Sequence, residues 1–123
     1  ERARRIRKQF GGGMRQIGHL AAAGLVAVET MVSRLAEDHE KARRLADLAA
    51  GAAGAHVIPP ETNILFVHLD SPRAQTLANH LLAANIQASV MGESALRFVT
   101  HRDVTVADCE AAGAALIEAS KAS

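Results

Sequence analysis

Aromatic side chains are almost missing from this sequence: among 123 residues there are three Phe and no Tyr or Trp. Only Phe10, Phe66 and Phe98 could stack on a base, which argues against recognition of nucleic acid by aromatic platforms. Cysteine is as scarce. Cys109 stands alone, so no internal disulfide can form, which fits a reducing compartment. A lone cysteine in a helical stretch reads first as a small packing residue. Charge of one sign is not in excess either, because the formal net charge is +1. No signal peptide is visible, and the longest apolar run, Leu20 to Val28, falls short of a bilayer span. Together these absences point to a cytoplasmic protein with neither membrane nor nucleic acid as its partner.

What remains is rich in alanine, leucine and valine, with apolar residues at 49% of the chain. Such a composition excludes a disordered tail and suits closely packed helices. The charge is unevenly spread. Six basic side chains against the single acid Glu1 leave residues 1–15 at +5, while eight basic and twelve acidic groups leave the rest at −4. The basic stretch 2–8 could touch phosphate backbones, but no base-reading module accompanies it. A solvated face or an acidic partner is the simpler reading. The chain opens at Glu1 rather than Met, which suggests an internal piece of a longer protein.

Periodicity gives an order of elements. Residues 2–9 read as the end of a basic helix that Gly11-Gly12-Gly13 breaks. A second helix is expected from about Met14, with a kink or restart near Glu29 to Ser33. Arg34 to Ala53 reads as an amphipathic helix: Leu35, Ala42, Leu45 and Ala49 line its dry face, and Glu37, Asp38, Glu40, Lys41, Arg43 and Arg44 its wet one. Strands are expected at Val57-Ile58 (short), at Ile64 to Leu69, at Ile86 to Met91 and at Ala95 to Thr100. Asp70-Ser71-Pro72 is expected to open a helix reaching about Ala84, and Asp103 to Thr105 to cap a last helix reaching about Ser120. The fold class is α+β, a helical segment over 1–33 followed by a small domain over 34–123. That domain has a mostly antiparallel sheet of about three strands, with helices on one face.

Two arginines are the candidates for chemistry. Glycines ahead of a helix leave backbone N–H groups uncovered at its positive end, so an anion such as phosphate could dock near Gly11-Gly12-Gly13, with Arg15 adding a charged fork. The alternative is a plain turn with Arg15 in water. In Leu96 to Thr100, alternation puts Leu96, Phe98 and Thr100 on one face and Arg97 and Val99 on the other. A guanidinium there can grip a carboxylate with two parallel bonds, or sit exposed. His19, His39, His56, His68, His80 and His101 are scattered singly with no metal-ligand spacing, so no metal is expected. No nucleophile motif is present. The residues alone therefore leave open a non-catalytic module for assembly or anion binding.

A family resemblance covers nearly the whole chain. Arg4-Arg5-Ile6-Arg7-Lys8-Gln9-Phe10-Gly11-Gly12-Gly13-Met14-Arg15-Gln16, running on to His19-Leu20-Ala21-Ala22-Ala23-Gly24-Leu25, resembles a segment of the low-specificity L-threonine aldolases. Arg34 to His39, Thr62 to Val67 and Leu96 to Val104 are similar in the same order. Those aldolases are pyridoxal-phosphate enzymes of the aspartate aminotransferase-like fold. The resemblance implies a C-terminal portion of such an enzyme, cleaving threonine or allo-threonine to glycine and acetaldehyde. It implies that Arg15 reaches the cofactor phosphate, often in a neighbouring subunit of a homo-oligomer. It also implies that Arg97 binds the carboxylate of a β-hydroxy-α-amino acid. A related β-eliminating lyase is the nearest alternative. The family's Schiff-base lysine sits in a Ser-Lys-Gly-type context, and Lys8, Lys41 and Lys121 all lack it. The 123-residue chain alone is accordingly expected to be inactive and to bind no cofactor.

Overall fold

The structure, a computed structural model, describes residues 1–122. It divides into two compact units, Glu1–Ser33 and a second that begins at Arg34.

The first unit is helical. Helix α1 spans Arg2–Gln9 and helix α2 spans Gly18–Val26. A π-helical turn, Ala27–Met31, follows. The Thr30 hydroxyl donates to the Val26 carbonyl at 2.6 Å, a back-bond that competes with the regular ladder at the expected kink. Helix α2 starts at Gly18, four residues later than the expected Met14. The intervening chain turns through Gln16 in a left-handed conformation, φ 48°. Two of the glycine N–H groups also face the other way from expectation. Gly11 N–H donates to Lys8 and Gly12 N–H to Arg7, so the glycine run closes the end of α1 rather than opening α2.

The second unit is an α+β layer. A 3₁₀ turn, Val32–Arg34, leads into α3 over Leu35–Ala49. Strand β1 is Ala55–Val57 and β2 is Ile64–Leu69. Helix α4 is Ala74–Ala83, β3 is Ser89–Val90, β4 is Ala95–Val99 and α5 is Val106–Lys121. The sheet order is β1-β2-β4-β3, with every neighbouring pair antiparallel. It has four strands rather than about three, since the short stretch expected at Val57-Ile58 forms over Ala55–Val57 and pairs with β2.

Strand β2 alternates exposed and buried residues, the pattern of a sheet covered on one side. Leu65, Val67 and Leu69 from β2, with Leu96 and Phe98 from β4, meet Leu45, Leu77, Leu81, Cys109 and Leu116 from the helices. Helices α3 and α5 approach closely at Gly113, where an added Cβ would lie 2.5 Å from the Leu48 Cβ. The N-terminus of α5 is well capped: Thr105 accepts from Asp108 N–H, and the Asp108 carboxylate accepts from Thr105 N–H.

Three boundaries and one side chain depart from expectation. Helix α3 stops at Ala49 rather than Ala53. Helix α4 starts at Ala74 with Arg73 at its N-cap position and no side-chain cap, past Asp70, whose carboxylate is held by His56 Nε2 at 2.5 Å. Strand β3 is only two residues, because Ile86 N–H donates to Leu81 and Asn85 N–H to Leu82. Those bonds end α4 with Asn85 left-handed at φ 61°, leaving the start of the expected strand in the helix cap. Lys41, expected on the wet face of α3, is buried. Its ammonium donates to Asp38 Oδ1 at 2.7 Å and to the His101 carbonyl at 2.9 Å, while the aliphatic stem packs inward.

By length and composition alone, the helical run Gly18–Ala49, 32 residues, is long and apolar enough to cross a bilayer. Its C-terminal part nevertheless puts Ala42, Leu45, Ala46 and Ala49 into the core of the second unit.

Candidate functional site

The helix-free face of the sheet carries Ile64, Phe66 and His68 from β2 and Ala95, Arg97 and Val99 from β4, as alternation requires. Arg97 lies directly across from Phe66 on one side and from Ser89 on the other. This is the face on which the sequence pattern put Arg97, with Leu96 and Phe98 buried on the opposite one. The Phe66 and His68 rings stack with centroids 6.3 Å apart, so the face is firm and partly apolar beside the guanidinium.

The hydrogen-bonding capacity of Arg97 is largely unused among the described residues. Among the described residues no carboxylate pairs with it. Its Nη2 reaches only Ser89 Oγ, at 3.4 Å, and its Nε is buried without a hydrogen-bond partner. A structural surface arginine is normally solvated or ion-paired, and a buried N–H left open is uncommon. A planar fork with spare donors matches a carboxylate.

A polar network fixes the end of the strand that carries Arg97. Thr100 Oγ1 donates to the Asp38 carbonyl at 2.6 Å, and Asn63 Nδ2 donates to the Thr100 carbonyl at 2.7 Å. With the Lys41 bonds to Asp38 and His101, these tie β4 to α3 and to the segment before β2. His101 thus takes part through its backbone carbonyl. Sequence reasoning missed the contacts of Lys41, Asn63 and Ser89, since only the fold brings their partners near.

Arg15 lies in the first unit, in the exposed turn between α1 and α2, and makes no hydrogen bond or ion pair among the described residues. Arg97 belongs to the second unit. Cys109 borders a cleft of about 380 Å³ lined by Leu45, Phe98 and Val104, and burial pushes its thiol pKa up. A raised pKa disfavours the thiolate, so the packing reading of Cys109 stands. No group of three or more His, Cys, Asp or Glu side chains among the described residues is placed to hold a metal ion.

Comparison with known proteins gives this arrangement its context. The profile of the beta-eliminating lyase family matches residues 1–72, more than half the chain. The chain belongs to the beta-eliminating lyase family. It is 43% identical over 105 residues to the low specificity L-threonine aldolase of Escherichia coli (strain K12), covering 85% of this chain and 31% of that protein. It is 38% identical over 113 residues to low-specificity L-threonine aldolase 1 of Arabidopsis thaliana, covering 88% of this chain and 32% of that protein. Aldolase vrtJ of Penicillium aethiopicum is 42% identical over 73 residues, or 58% of this chain and 19% of that protein. The chain therefore spans about a third of the length of the curated relatives it matches most fully. Within the lyase family, both the glycine-arginine turn and the residues up to the start of α4 fall in the matched region, whereas Arg97 lies beyond it.

Proposed function

We propose that this chain is the C-terminal part of a pyridoxal-phosphate-dependent carbon–carbon lyase of the threonine aldolase type, working in the cytoplasm as a homo-oligomer. In this reading residues 1–33 link to a large cofactor domain and residues 34–123 form the small domain. The observation that carries it is Arg97: a guanidinium on an open, partly apolar sheet face, with a buried unpartnered Nε and no carboxylate among the described residues. The similarity to named threonine aldolases supports the same class.

The residues present fit both anionic ends of such a reaction. Arg15, exposed and unpaired in its turn, would hold the cofactor phosphate. Arg97 would hold the carboxylate of a β-hydroxy-α-amino acid. When bound, pyridoxal phosphate supplies the electron sink for cleaving the Cα–Cβ bond. The contribution of this chain is orientation. A carboxylate fixed by two N–H bonds leaves the amino acid little freedom to rotate, and the lost freedom no longer has to be met in the chemical step. Lys41 is committed to Asp38 and the His101 carbonyl, so it is not available to hold the cofactor covalently. The chain by itself is therefore proposed to be inactive.

The test is an assay of the full-length protein with L-threonine and added pyridoxal phosphate. Glycine and acetaldehyde are the expected products. Release of a keto acid and ammonia would assign the related β-elimination instead. Arg15→Ala should weaken cofactor retention, read as loss of bound-cofactor absorbance on dialysis. Unaltered retention would remove Arg15 from the phosphate site. The 123-residue chain alone should neither bind the cofactor covalently nor turn over threonine.

A further inference from the structure

The proposal that follows rests on Arg97 being the carboxylate clamp, and adds the residue that aims it. An arginine reaches its ligand on a flexible stem of rotatable bonds, so a clamp works well only if something fixes the plane of its guanidinium. Phe66, Arg97 and Ser89 form one cross-strand row on the helix-free face. Of the two neighbours of Arg97, only Ser89 offers a polar atom.

The Ser89 hydroxyl sits 3.4 Å from Arg97 Nη2, and among the described residues that is the guanidinium's one hydrogen bond. With Nε buried, this contact leaves Nη1 and the second Nη2 N–H as the free edge of the fork. The position of Ser89 is in turn well determined. It lies on β3, whose approach is set by the cap of α4 at left-handed Asn85, and whose exit is set by the turn at Gly92, φ 74°, closed by Met91 N–H donating to the Ala95 carbonyl at 2.8 Å. Gly92 takes a backbone conformation that other residues resist, so this short edge strand has little room to slide.

We propose that Ser89 is a positioning residue: its hydroxyl fixes the plane of the Arg97 guanidinium so that the free edge of the fork meets the substrate carboxylate. It touches neither cofactor nor reacting atoms. Its loss should therefore weaken binding of the amino acid and leave the chemical step nearly intact.

The test uses the full-length protein loaded with pyridoxal phosphate. Ser89→Ala should raise KM for L-threonine about tenfold, with kcat within about twofold, in line with the loss of a hydrogen bond to a charged group. Ser89→Thr keeps the hydroxyl on a residue that suits a strand and should restore KM. In an Arg97→Ala background, Ser89→Ala should add nothing, because the group it aims is gone. The outcomes separate the two claims. If Arg97→Ala leaves KM unchanged, the clamp itself fails and this proposal with it. If Arg97→Ala raises KM but Ser89→Ala does not, only the proposal about Ser89 is overturned. Equal losses in Ser89→Ala and Ser89→Thr, or full additivity with Arg97→Ala, would reveal a merely structural serine and overturn it as well.

Discussion

Glu1–Ser33 contains no buried residue, whereas the unit that starts at Arg34 encloses Leu65, Val67, Leu77, Leu81, Leu96 and Leu116 at no more than 1% exposure. Both regions contain helices and apolar residues, yet they spend those apolar residues differently. In the first unit Leu20, Leu25, Val26 and Val28 are all exposed. Helix α1, eight residues long, is shorter than the length at which isolated helices become stable in water, and α2 buries no residue. In the second unit four strands and three helices share one core. Apolar content alone thus does not tell which part of a chain holds its own structure. What decides is whether the apolar positions find partners within it.

Substitutions that delete the same group in both units break or sharpen this contrast most strongly. Leu116→Ala should cost about 2–5 kcal/mol in urea unfolding, as expected for truncation of a fully buried leucine. Leu20→Ala, at 60% exposure, should change the stability of the same chain by less than about 0.5 kcal/mol. Comparable losses at the two sites would erase the distinction.

A smaller effect tests how tightly the second unit is packed. Gly113→Ala improves helix propensity, but its Cβ would meet the Leu48 Cβ at 2.5 Å, an atom that cannot move without its backbone. Overpacking of this kind costs about 1–3 kcal/mol, so net destabilisation is expected where propensity alone forecasts a gain. A rise in melting temperature would show that α3 and α5 have slack between them.

The smallest expected effect lies at the cap of α5. The Thr105 N–H and hydroxyl donate to the Asp108 carboxylate and hold its pKa below the ordinary aspartate value. A depressed folded-state pKa stabilises the fold fully above the unfolded value, and that contribution is lost as pH falls through the folded one. Wild type should therefore lose stability on acidification more steeply than Asp108→Asn, a difference visible in melting curves taken across the acidic range. Parallel acid profiles would mean that the box contributes nothing.

Much of the second unit was legible because its signals are local. The alternation in Ile64 to Leu69 and Ala95 to Thr100 placed Arg97 opposite the core, and Thr105 announced the last helix. What was not legible depends on contacts distant in sequence. Lys41 looks solvent-facing until the His101 carbonyl, sixty residues on, is seen to accept from it. Ser89 carries no signal until antiparallel pairing sets it beside Arg97. Ile86 reads as strand because its composition says so, while its N–H belongs to the end of α4. The glycine run shows the same limit, since spacing reveals a break but not which helix the freed N–H groups close.

The most direct test of the proposed chemistry is the kinetics of Arg97→Ala in the full-length protein with L-threonine. Loss of a charge-assisted contact predicts a fall in kcat/KM of about 10²-fold, carried mostly by KM, with bound-cofactor absorbance retained. Unchanged kinetics would contradict the assignment of Arg97 to the substrate carboxylate, and with it the reading of the open sheet face as part of a lyase site.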